Sequence, residues 1–206
     1  MKIAIVGGTG TFGRALARRL HLLGEEVHIG SRDARRGQER AIELGVSGGS
    51  NAEIVHGVDL VVLATKSNAA LDTGAELAEA IGETPVLSVA SDLRFTDIGI
   101  IPGLEAGSLA EALALVLRAP VASGLQMVSA IDLAGPEPPD QDALVCGDDL
   151  RAKEPALELA GRLVGGRAID CGPLANSRAL EGMTAVILNV NRQFGVHAGL
   201  RITGLQ

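Results

Sequence analysis

Gly8, Gly10 and Gly13 stand in the pattern G-x-G-x-x-G, with Thr9, Thr11 and Phe12 filling the gaps. Glycines at this spacing between a strand and a helix make a seat for the pyrophosphate of a dinucleotide. The first permits a tight turn, the second lets the backbone approach the phosphates, and the third lets helix and strand pack closely. Unpaired N–H groups at the helix start then face the negative charge. The second chemical feature is Ser31-Arg32, with Arg35 and Arg36 one helical turn on. An NAD site wants a carboxylate about 20 residues past the glycines for the ribose 2′-hydroxyl, whereas arginine there suits a 2′-phosphate. Guanidinium pairs with a phosphate dianion in bidentate fashion, so the stretch predicts NADP(H). A solvated basic helix start, neutralised by Asp33, is the plainer alternative.

The elements around these residues must hold them in place. Lys2 to Val6 is a short apolar run that reads as a strand, and Phe12, Leu16, Leu20 and Leu23 recur at helical spacing behind the glycines. Gly24 suits a left-handed helix end, and Val27-His28-Ile29 is the second strand. A polar helix to about Leu44 leads into a Gly/Ser-rich loop, 45–51, and Asn51 to Val55 reads as a third strand. Asp59 to Thr65 is a continuous β-branched run, as in a strand buried on both faces of a parallel sheet. Its end, Ala64-Thr65-Lys66, falls at the C-terminal sheet edge where open α/β folds bind ligands. Lys66 there suits a phosphate or a substrate acid, and equally a solvated loop lysine.

A helix from Asn68 to Ile81 precedes the strand Pro85 to Ala90, which ends on Val89-Ala90. An irregular loop, 91–107, and a capping box, Ser108-Leu-Ala-Glu111, open the next helix. Pro120 to Gln126 and Ala143 to Gly147 read as strands, with a Pro-rich surface loop between them over 134–140. Pro155 either kinks the following helix or marks its start near Glu154. A strand over Gly166 to Asp170 precedes a long last helix, Asn176 to Phe194, with Leu180, Met183, Ile187 and Val190 on one face. Arg178 falls in that helix's first turn, where the macrodipole disfavours a cation at small cost; it suits an anionic ligand, and equally a harmless surface arginine.

Composition narrows the function classes. The chain has 206 residues, 47% hydrophobic and 21% charged, enough to bury a sizeable core. A net charge of −7 argues against nucleic acid as the partner. With no Tyr and no Trp, the Tyr–Lys acid mechanism of short-chain dehydrogenases is ruled out, as is an aromatic platform for single strands. Cys146 and Cys171 give neither a disulfide framework nor metal spacing, the four His are scattered, and no metal site is expected. The chain opens on a strand, and no apolar run reaches the ~20 residues of a membrane span. A cytoplasmic protein is expected, with the apolar last helix and residues 199–206 suited to pairing two subunits as a homodimer.

Gly7-Gly-Thr-Gly-x-x-Gly13, Gly30-Ser-Arg32, Val145-Cys-Gly-Asp-Asp149 and Gly172-Pro-Leu-Ala-Asn-Ser-Arg178 together resemble the F420-dependent NADP oxidoreductases, as does the stretch ending Ile187-Leu-Asn189. The resemblance spans nearly the whole chain. It implies an α/β fold: a Rossmann-type doubly wound parallel sheet over 1–119, with a small C-terminal α/β lobe over 120–206 completing the cleft. It implies hydride transfer between NADP(H) and the C5 of the deazaflavin coenzyme F420, a reaction that needs placement more than an acid or base. Carried over by position, Thr9, Ser31, Arg32 and Arg36 would hold the 2′-phosphate. The loop Gly8 to Gly13 and the strand ends Ala64-Thr65-Lys66 and Val89-Ala90 would complete the cofactor set. Gln126, Arg178 and Thr184 would lie at the deazaflavin side.

Several positions depart from the family pattern. Lys66-Ser67 stands where relatives tend to show Pro-Trp, Gln126 where archaeal members carry histidine, and Gly182 in place of a serine; the 91–101 loop bears little likeness. All fall on the second-substrate side. The alternatives are an NADP-dependent reductase of a flavin, imine or carbonyl compound, with Lys66 or Asp92 as proton donor, and a non-catalytic NADP(H)-binding sensor.

Overall fold

The computed structural model describes residues 1–104 and 106–205. One eight-stranded sheet carries the molecule, built from β1 (Lys2–Val6), β2 (Glu26–Ser31), β3 (Ser47–Ser50), β4 (Leu60–Leu63), β5 (Val86–Ser88), β8 (Val121–Gly124), β9 (Ala143–Gly147) and β10 (Ala168–Asp170), while β6 (Leu93–Thr96) and β7 (Gly99–Pro102) form a separate hairpin. The strand order is β10-β9-β8-β5-β4-β1-β2-β3. Neighbours run parallel except β8 and β9, which pair antiparallel through Ala122↔Gly147, Ser123↔Cys146 and Gly124↔Val145. The chain winds outward from β1 through β2 and β3, then restarts on the other side of β1 with β4. The reversal leaves a crevice at the C-terminal ends of β1 and β4, where such sheets bind ligands.

Strand side chains alternate between two helical layers, as their period of two requires. Ile3, Ile5, Leu60, Val62 and Leu87 pack against α1 (Thr11–Leu22) and α7 (Leu150–Leu163) on one face. Ala4, Val6, Val61, Leu63 and Val86 face α4 (Ser67–Ile81) and α5 (Leu109–Val116) on the other. With both faces covered, β1 and β4 bury nearly every residue, which is why they read as unbroken apolar runs. Beyond them, Leu144 and Cys146 of β9 pack with Leu180 and Ile187 of α8 (Ser177–Phe194).

Sequence expectations are corrected at several places. The stretch 45–51 is not a loop, and Asn51 to Val55 is not a strand. Ser47–Ser50 is β3, paired in register with His28–Ser31 of β2, and Asn51–Ile54 is a short helix, α3. Ser50 ends the strand and starts the helix because its hydroxyl accepts from Glu53 N–H while the Glu53 carboxylate accepts from Ser50 N–H, a complete capping box. Gly48 belongs in this strand because a Cβ there would fall 2.5 Å from Ala41 Cβ and 2.6 Å from Gly37 O of α2 (Ala34–Leu44), and a Cβ at Gly37 would in turn run into Gly49 O. The 91–107 stretch contains the β6–β7 hairpin, whose Ile100 is held at both backbone groups by Asn189 of α8. Helix α7 starts at Leu150, capped by Asp149, and runs on through Pro155. Met183 of α8 is exposed; the helix buries Ser177, Leu180, Glu181 and Ala185 instead. A short helix, α6 (Ala130–Ala134), was not foreseen.

Among the described residues, no helix is long and apolar enough to cross a membrane.

Candidate functional site

The glycine turn is set by Gly7 rather than Gly8. Gly7 adopts φ +77°, and the turn closes through Gly8 N–H to Ile5 O at 3.1 Å and Gly10 N–H to Gly7 O at 3.0 Å. Gly8 is pressed onto β2, where a Cβ would come within 2.6 Å of Ile29 Cβ. Gly13 fills the role foreseen for it: a Cβ there would stand 2.7 Å from both Gly7 O and Gly8 Cα, so helix and turn touch backbone to backbone. Phe12 packs on the core and Thr11 begins α1 at the surface.

A cleft of about 820 Å³ opens over this turn. It gathers Thr9 and Gly10 from the turn, Ser31, Arg32 and Arg36 from β2 and α2, and Ala64, Thr65 and Lys66 from the end of β4. Asn51, Asn68, Ala69, Asp72 and Thr73 complete the wall and were not singled out from sequence. Val89 and Ala90 follow β5 as buried residues outside the cleft lining.

Two of the helix termini at this cleft lack a side-chain cap, as does α8 elsewhere in the fold. Helices α2, α3, α5, α6 and α7 have their first N–H groups accepted by side chains of Asp33, Ser50, Ser108, Ser129 and Asp149. Helices α1 and α4, whose N-caps are Gly10 and Lys66, have no side-chain cap, and both caps line the cleft. Free N–H donors and two positive helix ends thus converge on one volume. The cations there are also free. Among the described residues the guanidinium groups of Arg32 and Arg36 have no ion-pair or side-chain hydrogen-bond partner. Asp33, the expected neutraliser, instead accepts N–H bonds from Arg35 at 3.0 Å and Arg36 at 3.3 Å. Thr65 Oγ1 is buried with no partner, a donor–acceptor that a ligand in the cleft would satisfy.

The three residues assigned to the second-substrate side separate into two places. Gln126 and Thr184 meet: Thr184 Oγ1 donates to Gln126 O at 3.3 Å and lies 2.9 Å from Ser91 Oγ. The Gln126 side chain itself is turned inward, with Nε2 donating to Ser123 Oγ at 2.6 Å and Ser88 O at 3.3 Å, while Oε1 and Ser88 Oγ are left without partners. Leu125, just before it, has φ +69°, the one non-glycine residue in the left-handed region among the described residues. Arg178 stands apart, donating to Glu111 at 2.6 and 2.7 Å. That pair explains the half-formed capping box of α5, since Ser108 accepts from Glu111 N–H but the Glu111 carboxylate is taken by Arg178 and the Ser108 hydroxyl. The Arg178 guanidinium holds the Glu111 carboxyl below its ordinary range.

A second cavity, about 330 Å³, lies beside Arg178 and is lined by Asp92, Pro102, Glu181 and Gly182 among others. Glu181 was not foreseen. Its buried carboxylate accepts from the first N–H groups of α5, Leu109 at 3.1 Å and Ala110 at 3.2 Å. Burial pushes its carboxyl up to about 7, against those bonds and with Asp92 and Glu111 adding like charge.

Among the described residues, no three His, Cys, Asp or Glu side chains gather in a group that could hold a metal ion.

Known proteins agree with this architecture. Residues 2–92 match the family model for NADP oxidoreductase, coenzyme F420-dependent. Over its whole length the chain is 36% identical to the F420-dependent NADP reductase of Methanothermobacter thermautotrophicus, covering 96% of that protein. It is 35% identical to the F420-dependent NADP reductase of Methanocaldococcus jannaschii, with both chains fully covered. Among solved structures, a putative F420-dependent NADP reductase from Arthrobacter sp. FB24 superposes with a TM-score of 0.85 at 28% identity, over 98% of this chain and 99% of that one. An imine reductase from Aspergillus terreus shares the fold at a TM-score of 0.67 and 19% identity, over 94% of this chain and 62% of that one. The full-length identity, carried by a chain whose glycine turn, free arginines and uncapped helices converge on one cleft, places this protein in the F420-dependent NADP reductase family.

Proposed function

We propose that this protein transfers a hydride between NADP(H) and coenzyme F420, with NADP(H) in the 820 Å³ cleft. The observation that carries the reading is the convergence of two uncapped helix N-termini with the unpaired Arg32 and Arg36. When bound, NADPH supplies the hydride and the deazaflavin accepts it at C5. The chain's own work is placement. Gly10 and the first turn of α1 take the pyrophosphate, Ser31, Arg32 and Arg36 hold the 2′-phosphate, and Thr65 Oγ1 finds its partner on the nicotinamide half. Residues 120–206 complete the cleft begun by 1–119. Gln126, whose backbone oxygen accepts from Thr184 Oγ1, and Leu125, at φ +69°, lie on the side this reading gives to the second substrate. Arg178 meets the acidic second substrate after parting from Glu111. Hydride transfer needs the two rings aligned and dry more than it needs a proton at the reacting carbon.

The protein works in the cytoplasm as a homodimer, joined through the exposed apolar face of α8, where Met183, Val186 and Phe194 stand in solvent. The test of function is anaerobic mixing of the protein with NADPH and oxidised F420 while following the deazaflavin absorbance. Catalysed bleaching supports the assignment, and no bleaching above background at saturating concentrations overturns it.

A further inference from the structure

The side chain of Asn51 lies between the two ends of the nucleotide cleft. It is the first residue of α3, almost fully buried, and part of the cleft wall. Its Oδ1 accepts the N–H of Gly7 at 3.3 Å, tying the turn that serves the pyrophosphate to the far side of β2. Gly30 sits directly against it: a Cβ at Gly30 would fall 2.5 Å from Asn51 Oδ1. Gly30 precedes Ser31 and Arg32, so one amide touches the glycine turn on one side and the 2′-phosphate wall on the other.

The orientation of this amide follows from its partner. A backbone N–H can only donate, so the atom facing Gly7 is the oxygen, and the NH2 points the other way. Among the described residues that NH2 has no acceptor, and it is not among the buried orphaned atoms, so it opens to the cleft. In NADP(H) the group joining the 5′-pyrophosphate to the 2′-phosphate is the adenosine ribose, whose remaining hydroxyl is on C3′. We propose that Asn51 is a binding residue for this ribose: Nδ2 donates to the 3′-oxygen while Oδ1 fixes Gly7, so one side chain sets the spacing between the two phosphate sites. The inference rests on the reading of the cleft as an NADP(H) site.

The experiment compares two probes without the nicotinamide half, adenosine 2′,5′-bisphosphate and its 3′-deoxy analogue, by calorimetric titration of the wild-type protein and of Asn51→Ala. Loss of a hydrogen bond whose partner then stays unpaired in the site is worth about 5- to 20-fold. The wild type should prefer the hydroxylated probe by that factor, and Asn51→Ala should reduce the preference to less than about 2-fold. Any loosening of the glycine turn weakens both probes alike and cancels in the ratio. No preference in the wild type overturns the inference even if the variant does not fold. A preference that survives Asn51→Ala overturns it as well. Failure of the wild type to bind either probe overturns the NADP(H) reading along with it.

Discussion

Glu181 joins α8 to the start of α5, and its titration gives a test of the packing around the second cavity. The side chain is 6% exposed, accepts two backbone N–H bonds and faces the carboxylates of Asp92 and Glu111. Its carboxyl rises from an ordinary value of 4.5 to about 7. The folded state therefore holds more protons than the unfolded chain between those values, and stability falls as pH rises through that window. At about 1.4 kcal/mol per pH unit the full effect is about 3 kcal/mol, complete above pH ~7.5 and absent below pH ~4.5. Glu181→Gln removes the charge but keeps the shape and one acceptor. In urea unfolding from pH 4.5 to 8.5, the variant should match the wild type at the acid end and exceed it by about 2–3 kcal/mol at the alkaline end. Differencing the two proteins cancels every titrating group not coupled to Glu181, as Asp92 and Glu111 are. A difference that does not vary with pH, or a wild type more stable than the variant at pH 8, would refute the argument.

Other perturbations test the cleft. Arg32→Ala should raise the KM for NADPH by about 10- to 100-fold, the scale of a charge-assisted phosphate contact, and leave the KM for NADH nearly unchanged in steady-state assays; equal effects on both would move the 2′-phosphate elsewhere. Gly13→Ala brings a Cβ to 2.7 Å of Gly7 O and Gly8 Cα, both backbone, so it should cost about 1–3 kcal/mol in thermal or urea unfolding and weaken NADPH binding. Glu111→Gln frees Arg178 from its charged partner at 2.6 Å. Because the pair is largely exposed, the gain is small, and the KM for F420 should fall by about 2- to 5-fold with kcat unchanged. A higher KM for F420 in that variant would place the acidic substrate away from Arg178.

The sequence was most legible where side chains carried the signal. Val6 to Gly13, the β-branched Asp59–Thr65 run and the Ser31-Arg32 pair each read through to a structural position. Legibility failed where the chain spoke through missing side chains. Gly48 and Gly49 look like a loop because nothing in them favours a strand; the close approach of α2, through Ala41 Cβ and Gly37 O at Gly48 and through Gly37 at Gly49 O, is visible only in the fold. Gly7 was passed over for Gly8, since the spacing pattern does not reveal which residue takes the positive φ. Asn51 and Glu181 were invisible for another reason: each acts on a partner far along the chain, Gly7 in one case and Leu109 in the other. The Ser50-x-x-Glu53 pattern was the readable signal for α3, and it would have placed Asn51 on a helix start. Arg178 was legible as a cation set against the helix dipole, but its resting partner Glu111 was not, because Glu111 already accounted for itself as part of a capping box.

A hydride that passes directly between NADPH and F420 carries its isotope with it. The most direct test uses NADPH carrying deuterium at nicotinamide C4, in each of the two stereochemical forms, with oxidised F420 under anaerobic conditions. One of the two forms should give reduced F420 with deuterium at C5, none in the solvent, and a primary isotope effect in single turnover. Oxidation of NADPH with the label lost to water, or with no label reaching C5 from either form, would contradict direct transfer.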